Sequence, residues 1–167
     1  MAELTPTERL QPSLLDRLTD EEPMQGQEAR NRRVMSIQKL RESVLRDVGW
    51  LLNTTNLAER NLEERYPHVA RSVLNYGLPD LAGLTSSAID VAEVEFLVRQ
   101  AILDFEPRIL RNSLVVRAHT GDEMNHNALV FEIQGELWAQ PVPLELFMKT
   151  EIDLENGEFV VTETSRS

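Results

Sequence analysis

No cysteine occurs among the 167 residues, and lysine occurs only twice, at Lys39 and Lys149. The first absence excludes disulfides, thiolate nucleophiles, cysteine-held zinc and iron–sulfur clusters. It is also what a reducing compartment tolerates. The seven glycines are scattered, and none sits in a G-x-G-x-x-G or G-x-x-x-x-G-K pattern. No phosphate-cradling loop is expected, and no G-x-S-x-G elbow is present. His68, His119 and His126 show no H-E-x-x-H spacing and no pairing on one helix face. Asp122-Glu123-Met124-Asn125-His126-Asn127 lacks the central glycine and closing glutamate of a calcium loop, so it reads as a solvated hairpin tip. The sequence therefore predicts no catalytic residue, no metal and no cofactor.

Long apolar runs are missing too. Nothing approaches the roughly 18 consecutive apolar residues of a membrane span. Met1-Ala2-Glu3-Leu4-Thr5-Pro6 has no basic stretch leading into an apolar one, which predicts no secretory signal. Asn53-Thr54-Thr55 has the form of a glycosylation sequon and reads as a chance match.

What the chain has in excess is negative charge: 28 acidic against 17 basic side chains, a formal net charge of −11. A free-standing nucleic-acid binder needs a basic footprint, so nucleic acid is not an expected partner. Anionic lipid is excluded on the same ground, and no direct membrane insertion is expected. Fifteen of the 17 basic residues are arginine. That bias suits fixed, forked contacts to carboxylates. The length suits one domain with an arm, large enough to fold around its own core.

Residues 1–31 form the arm. They carry Pro6, Pro12, Pro23 and the acidic run Asp20-Glu21-Glu22. Within them Ser13 can cap a short amphipathic helix whose Leu10, Leu14, Leu15 and Leu18 share one stripe. A solvated tail does not need such a stripe, so Leu14, Leu15 and Leu18 are candidate partner-binding residues.

Residues 32–167 form the domain. Ile37, Leu40, Val44, Val48 and Leu51 recur at helical spacing and predict a helix over 32–52. A second helical stretch is predicted over 57–65, broken at Tyr66-Pro67. Pro67 then opens another helix, with Val69, Val73 and Leu74 inward and Gly77 as its cap. Val94, Leu97, Val98, Ala101, Ile102 and Phe105 predict a further helix, capped by Ser86 or Ser87 and stopped by Pro107. After Arg111 the period changes to two. Alternation over 114–119, 129–135 and 146–153, then the Glu155-Asn156-Gly157 turn signal and Phe159-Val160-Val161, predicts three or four antiparallel strands. Helices followed by strands give an α+β fold.

Glu106-Pro107-Arg108 sits where the last helix meets the first strand. One reading is a helix stop with Arg108 complementing the helix dipole. The other is a rigid Glu/Arg display for a partner, since charge-assisted arginine forks confer register. In the second case the pair would be exposed and its removal would change stability by only about 0–1 kcal/mol.

Several separated blocks resemble the TssE family, the baseplate wedge subunits of bacterial type VI secretion systems. These are homologous to the small, lysozyme-like baseplate wedge protein of contractile phage tails. The blocks are Pro12-Ser13-Leu14-Leu15-Asp16-Arg17-Leu18; Leu40–Asp47 with Trp50-Leu51-Leu52-Asn53-Thr54; Tyr66-Pro67 with Ser72–Asp80; and Glu106-Pro107-Arg108. They cover roughly residues 12 to 111 in the family's order. Gly49 departs from the pattern, because the family commonly has an acidic residue there.

The resemblance implies a structural role with no enzymatic activity. It implies a cytoplasmic place in a baseplate docked at the inner membrane complex. The implied partners are TssF, TssG and TssK, and the first sheath ring of TssB and TssC, whose assembly the subunit would help initiate. It points to Glu106, Pro107 and Arg108 as partner-binding residues, and to a sheet edge within 144–163 that accepts a sheath strand. Proline at Thr150 or Val160, whichever lies on that edge, would then block pairing. The lysozyme-like label raises a rival, a peptidoglycan glycosidase with Glu106 as acid. A guanidinium beside Glu106 favours its ionised form, which is wrong for a proton donor.

Overall fold

The computed structural model describes residues 13–19, 37–57, 62–81, 90–119, 128–138 and 143–164. Leu10, the acidic run, the predicted helix before Ile37, Ser86, Ser87 and the 122–127 tip lie outside the described residues.

Two helices, α2 (Ile37–Leu52) and α5 (Val91–Phe105), carry the helical side of the core, and a short helix α1 (Leu14–Leu18) lies outside it. Leu40, Val44, Val48, Leu51 and Leu52 bury one face of α2, while Ile37 stays exposed. Val94, Val98, Ala101 and Ile102 bury one face of α5. That helix is capped by Asp90, whose carboxylate accepts from the Ala92 N–H (3.0 Å), rather than by either serine. It stops at Phe105 because Pro107 follows.

The sheet is a four-stranded antiparallel meander in the order β1 (Val115–His119), β2 (Ala128–Leu137), β3 (Leu144–Asp153) and β4 (Phe159–Glu163). Its period-two pattern turns Val116, Leu129, Phe131, Ile133, Leu146, Met148, Ile152 and Phe159 into the core against α2 and α5. Gly157, at φ 74°, makes the turn between β3 and β4, where its N–H reaches the Asp153 carbonyl (2.7 Å).

The two edges of the sheet differ. On β1 the outward carbonyl of Leu114 accepts from Arg99 Nε (3.4 Å), and the outward N–H of Ala118 donates to Glu95 Oε1 (2.6 Å). Two side chains one turn apart on α5 thus take two of the outward groups of that edge. On β4 the register pairs Ile152 with Phe159 and Thr150 with Val161. Asp153 N–H bonds the Glu158 carbonyl and Thr164 N–H bonds the Phe147 carbonyl, so the odd-numbered residues of β4 point their backbone groups outward. Asn53 fills the first of those places. Its side-chain amide accepts from Phe159 N–H (2.9 Å) and donates to the Phe159 carbonyl (2.8 Å). Among the described residues no side chain takes the outward backbone groups of Val161 or Glu163. The expected positions for a blocking proline are corrected accordingly. Thr150 lies buried in the interior strand β3, and Val160 turns its N–H into the sheet. Val161 is the edge position.

The segment between α2 and α5 departs most from the sequence reading. Thr55 to Leu57 are not helical. Thr55 forms a parallel bridge with Leu78, and the described helix α3 is only Leu62–Arg65. Pro67 does open α4, but α4 ends at Ala70. A 3-10 turn, Val73–Asn75, follows. Val73 and Leu74 therefore face solvent instead of the core, at 82% and 69% exposure. Gly77 caps no helix. At φ 116° it passes under Thr54, whose carbonyl a Cβ would strike.

Gly49 has open space where a Cβ would stand and sits inside α2. Glycine in a helix interior is about 1 kcal/mol worse than alanine. Gly49→Ala is expected to raise stability by about 0.5–1 kcal/mol, measured as a shift in urea midpoint at constant m value.

Candidate functional site

Glu106 is the C-cap of α5, and its N–H bonds the Ile102 carbonyl (2.9 Å). Pro107 then turns the chain, so Arg108 folds back over Glu106. Glu106 Oε1 accepts from the backbone N–H of Arg108 (3.1 Å) and from its Nε (2.7 Å), while Oε2 accepts from Nη2. The same guanidinium reaches α2, with Nη1 on Ser43 Oγ (3.1 Å) and Nη2 on Asp47 Oδ2. Ser43 and Asp47 are four residues apart and so share one face of the helix. Beyond the turn, the Arg108 carbonyl accepts from Trp138 N–H (2.7 Å) at the end of β2. One residue thus ties α2, α5 and the sheet together, the helices by its side chain and the sheet by its backbone.

The chain of charge continues outward. Asp47 Oδ1 accepts from Arg46 Nε (2.8 Å), and Arg46 Nη1 reaches Asp16 on α1 (2.8 Å). Arg46 also lies over the Trp50 ring, 5.2 Å from its centroid. Asp16, Arg46, Asp47, Arg108 and Glu106 therefore alternate in sign from the arm to the core. Burial pushes the Asp16 carboxyl up, but hydrogen bonds from Ser13 and Arg46 and the Arg46 charge outweigh it and hold it low. Burial alone would weaken protonation of Arg108. The bonds and charge of Glu106, then of Asp47, more than reverse this.

The structure brings three of the six predicted residues, Glu106, Pro107 and Arg108, to one place and orients them unexpectedly. Glu106 is only 4% exposed, and Arg108 is largely engaged within the fold, so the two do not stand out as a forked display. Pro107 is exposed between them. Leu14, Leu15 and Leu18 are exposed as well, because α1 meets α2 through its polar Asp16 side and presents leucine outward. The spacing of the Leu stripe found α1. Asp16, Ser43, Arg46 and Asp47 were missed as members of the site. The only signal for them was their place among the stripe residues of two helices 30 residues apart.

A hollow of about 450 Å³ lies against this cluster, lined by Ser13, Leu51, Tyr76, Phe105 and Pro107 besides the charged residues. Tyr76 and Phe105 meet edge to face in its wall, with centroids 5.2 Å apart. Glu106 accepts two bonds from the Arg108 guanidinium and one from the Arg108 backbone N–H, an arrangement that fixes structure. Among the described residues no group of three or more His, Asp or Glu could hold a metal, and no helix is long and apolar enough to cross a membrane.

Residues 38–142, more than half the chain, match the family of baseplate wedge protein gp25. The match spans Ser43, Asp47, Glu106 and Arg108, and it excludes α1, β3 and β4. No curated protein and no solved structure matches the chain.

Removing one partner of a buried ion pair strands the other. Arg108→Ala is expected to lower stability by about 3 kcal/mol, towards the low end for buried pairs because the guanidinium is partly solvated. Arg108→Lys should restore only part of that, since it keeps the charge and loses the fork. Chemical denaturation of both variants measures this. A loss below about 1 kcal/mol would return the pair to the surface.

Proposed function

Because the chain belongs to the baseplate wedge protein gp25 family, a family of structural baseplate parts that contact other baseplate components, we propose that it is the TssE-type wedge subunit of a type VI secretion system. In this reading it sits in the cytoplasm, in a baseplate docked at the inner membrane complex. It joins TssF, TssG and TssK to the first sheath ring of TssB and TssC and helps that ring to form. The observation that carries the reading is the family match over the charge cluster that ties α2, α5 and the sheet. The ordered sequence blocks, including the leucine arm, add the type VI assignment.

Two exposed features suit this place. The arm offers Leu14, Leu15 and Leu18 on a helix tethered through the opposite side, so it can enter an apolar groove without leaving its own body. Glu106 and Arg108 serve the interface indirectly, by holding Pro107 and the hollow beside it in shape. Among the described residues nothing bonds the outward main-chain groups of Val161 and Glu163 on the β4 edge, which suits pairing with an extended segment.

Co-expression with TssF and TssG tests the assignment. The full chain should co-purify with both, and Leu14→Ser/Leu15→Ser/Leu18→Ser should reduce capture at least tenfold while melting like the parent. No capture of the parent chain would overturn the reading.

A separate measurement tests the edge. Val161→Pro removes an outward N–H and should leave the fold intact while stopping sheath extension, seen by fluorescence imaging of a labelled sheath subunit. Val160→Pro removes an inward bond and should unfold β4. Normal sheaths with a folded Val161→Pro chain would exclude strand pairing there.

A further inference from the structure

Helix α2 runs beside the open edge of the sheet and touches it towards both of its ends. Near its start Arg41 holds the Glu163 carboxylate (2.7 Å) and the Glu145 carbonyl of β3 (3.0 Å). Just past its end the Asn53 side chain fills the outward groups of Phe159 and also donates to the Gly49 carbonyl (2.8 Å). The helix is thus antiparallel to β4, and Val161 lies level with the stretch between the two contacts. Arg41, Leu45, Gly49 and Asn53 follow one another at a spacing of four, which sets them along one ridge of the helix. Leu45 and Gly49 therefore stand beside the edge at Val161. Leu45 is half-buried against the core, and nothing lies within 4 Å of where a Gly49 Cβ would stand. Glycine is a poor choice for a helix interior, and among the described residues no close approach calls for it. Its missing side chain leaves a notch beside the unpaired main chain of Val161.

A strand added at this edge would have its side chains oriented by the sheet, because lateral neighbours share a face. Val161 follows Phe131 and Thr150 across the sheet, and both are fully buried on the helix side. The residue opposite Val161 must then point at the notch, and the residues before and after it at the solvated face. We propose, resting on the strand-pairing reading of the β4 edge, that Gly49 makes this edge selective for an extended segment with a large apolar side chain opposite Val161. That side chain seats over Leu45 and Gly49 and adds one residue to the core. A second copy of this chain fits poorly. Only the odd-numbered residues of β4 turn main-chain groups outward, and Asn53 occupies those of Phe159. The register with the most bonds then sets Val161 against Glu163 of the second copy, which aims a carboxylate at an apolar notch.

The test titrates the full chain with two end-capped heptapeptides and follows the Val161 and Glu163 amides by NMR. Both peptides alternate lysine and threonine from a terminal lysine, with leucine or serine in place of the central threonine. The leucine peptide should shift both amides and bind about tenfold more tightly than the serine peptide, as burial of one leucine side chain implies. Gly49→Leu fills the notch with a good helix former, so it should melt no lower than the parent and cut the preference to below about threefold. Gly49→Ala fills little of the notch and should keep the preference. Equal binding of the two peptides to the parent, or an unchanged preference in Gly49→Leu, would overturn the notch and leave strand pairing at the edge standing. If neither peptide shifts either amide, strand pairing fails and the notch fails with it. A parent that sediments as a dimer and becomes a monomer with Val161→Pro would give the edge to a second copy and overturn the proposal as well.

Discussion

A guanidinium surrounded by two carboxylates and a hydroxyl sets the geometry of this molecule. Arg108 stands where the end of α5, the middle of α2 and the end of β2 converge, and each supplies it a partner. A charge taken this far from water is tolerable only if its donors are filled. Here the filling groups come from α2 and the end of α5, so the requirement to satisfy one side chain fixes two helices against each other, and the Arg108 backbone carbonyl adds the end of β2. Hydrophobic burial supplies the larger share of stability but little direction. The forked ion pairs supply the direction.

The same cluster explains why the arm can be useful. Arg46 extends the alternation of charge to Asp16, and that contact occupies the polar side of α1. The leucines are left over, facing out. An amphipathic helix docked by its polar side inverts the usual arrangement, in which apolar side chains face the protein. The tether also has a pH limit. Because Asp16 is held below its ordinary value, its contribution is fully present above about pH 4 and declines as pH falls through the lowered value. Neutral pH leaves it intact.

Much of the fold was legible in the sequence, and the reasons are physical. The stripes of α2 and α5 and the alternation in the strands are repeated patterns, each with many residues agreeing. Residues 66–78 defeated the reading because no such repetition exists there. Val69, Val73 and Leu74 have helical spacing, but Ser72 and Asn75 bond the backbone locally and end the helix early. Gly77 looked like a helix cap and instead makes a close approach to another segment, a role visible only once Thr54 is in place. At the site, Glu106-Pro107-Arg108 was conspicuous, yet its inward orientation depended on Ser43 and Asp47, more than 60 residues away. A tripeptide cannot reveal the partner that decides whether its charges face in or out.

The contacts that seat β4 have a kinetic side. Asn53 meets Phe159 across 106 positions, and Arg41 meets Glu163 across 122. Hairpins such as β3–β4 close short loops and can form early, whereas bringing α2 to β4 closes a long one. The strand that carries the open edge is therefore completed by the contacts of greatest sequence separation. A chain that has not finished folding lacks Asn53 at Phe159, and its edge is neither plugged at the right place nor held straight for another strand. Under the proposed strand pairing, only a fully folded subunit would display this edge in register, and incomplete copies would be left out of the structure that grows from it.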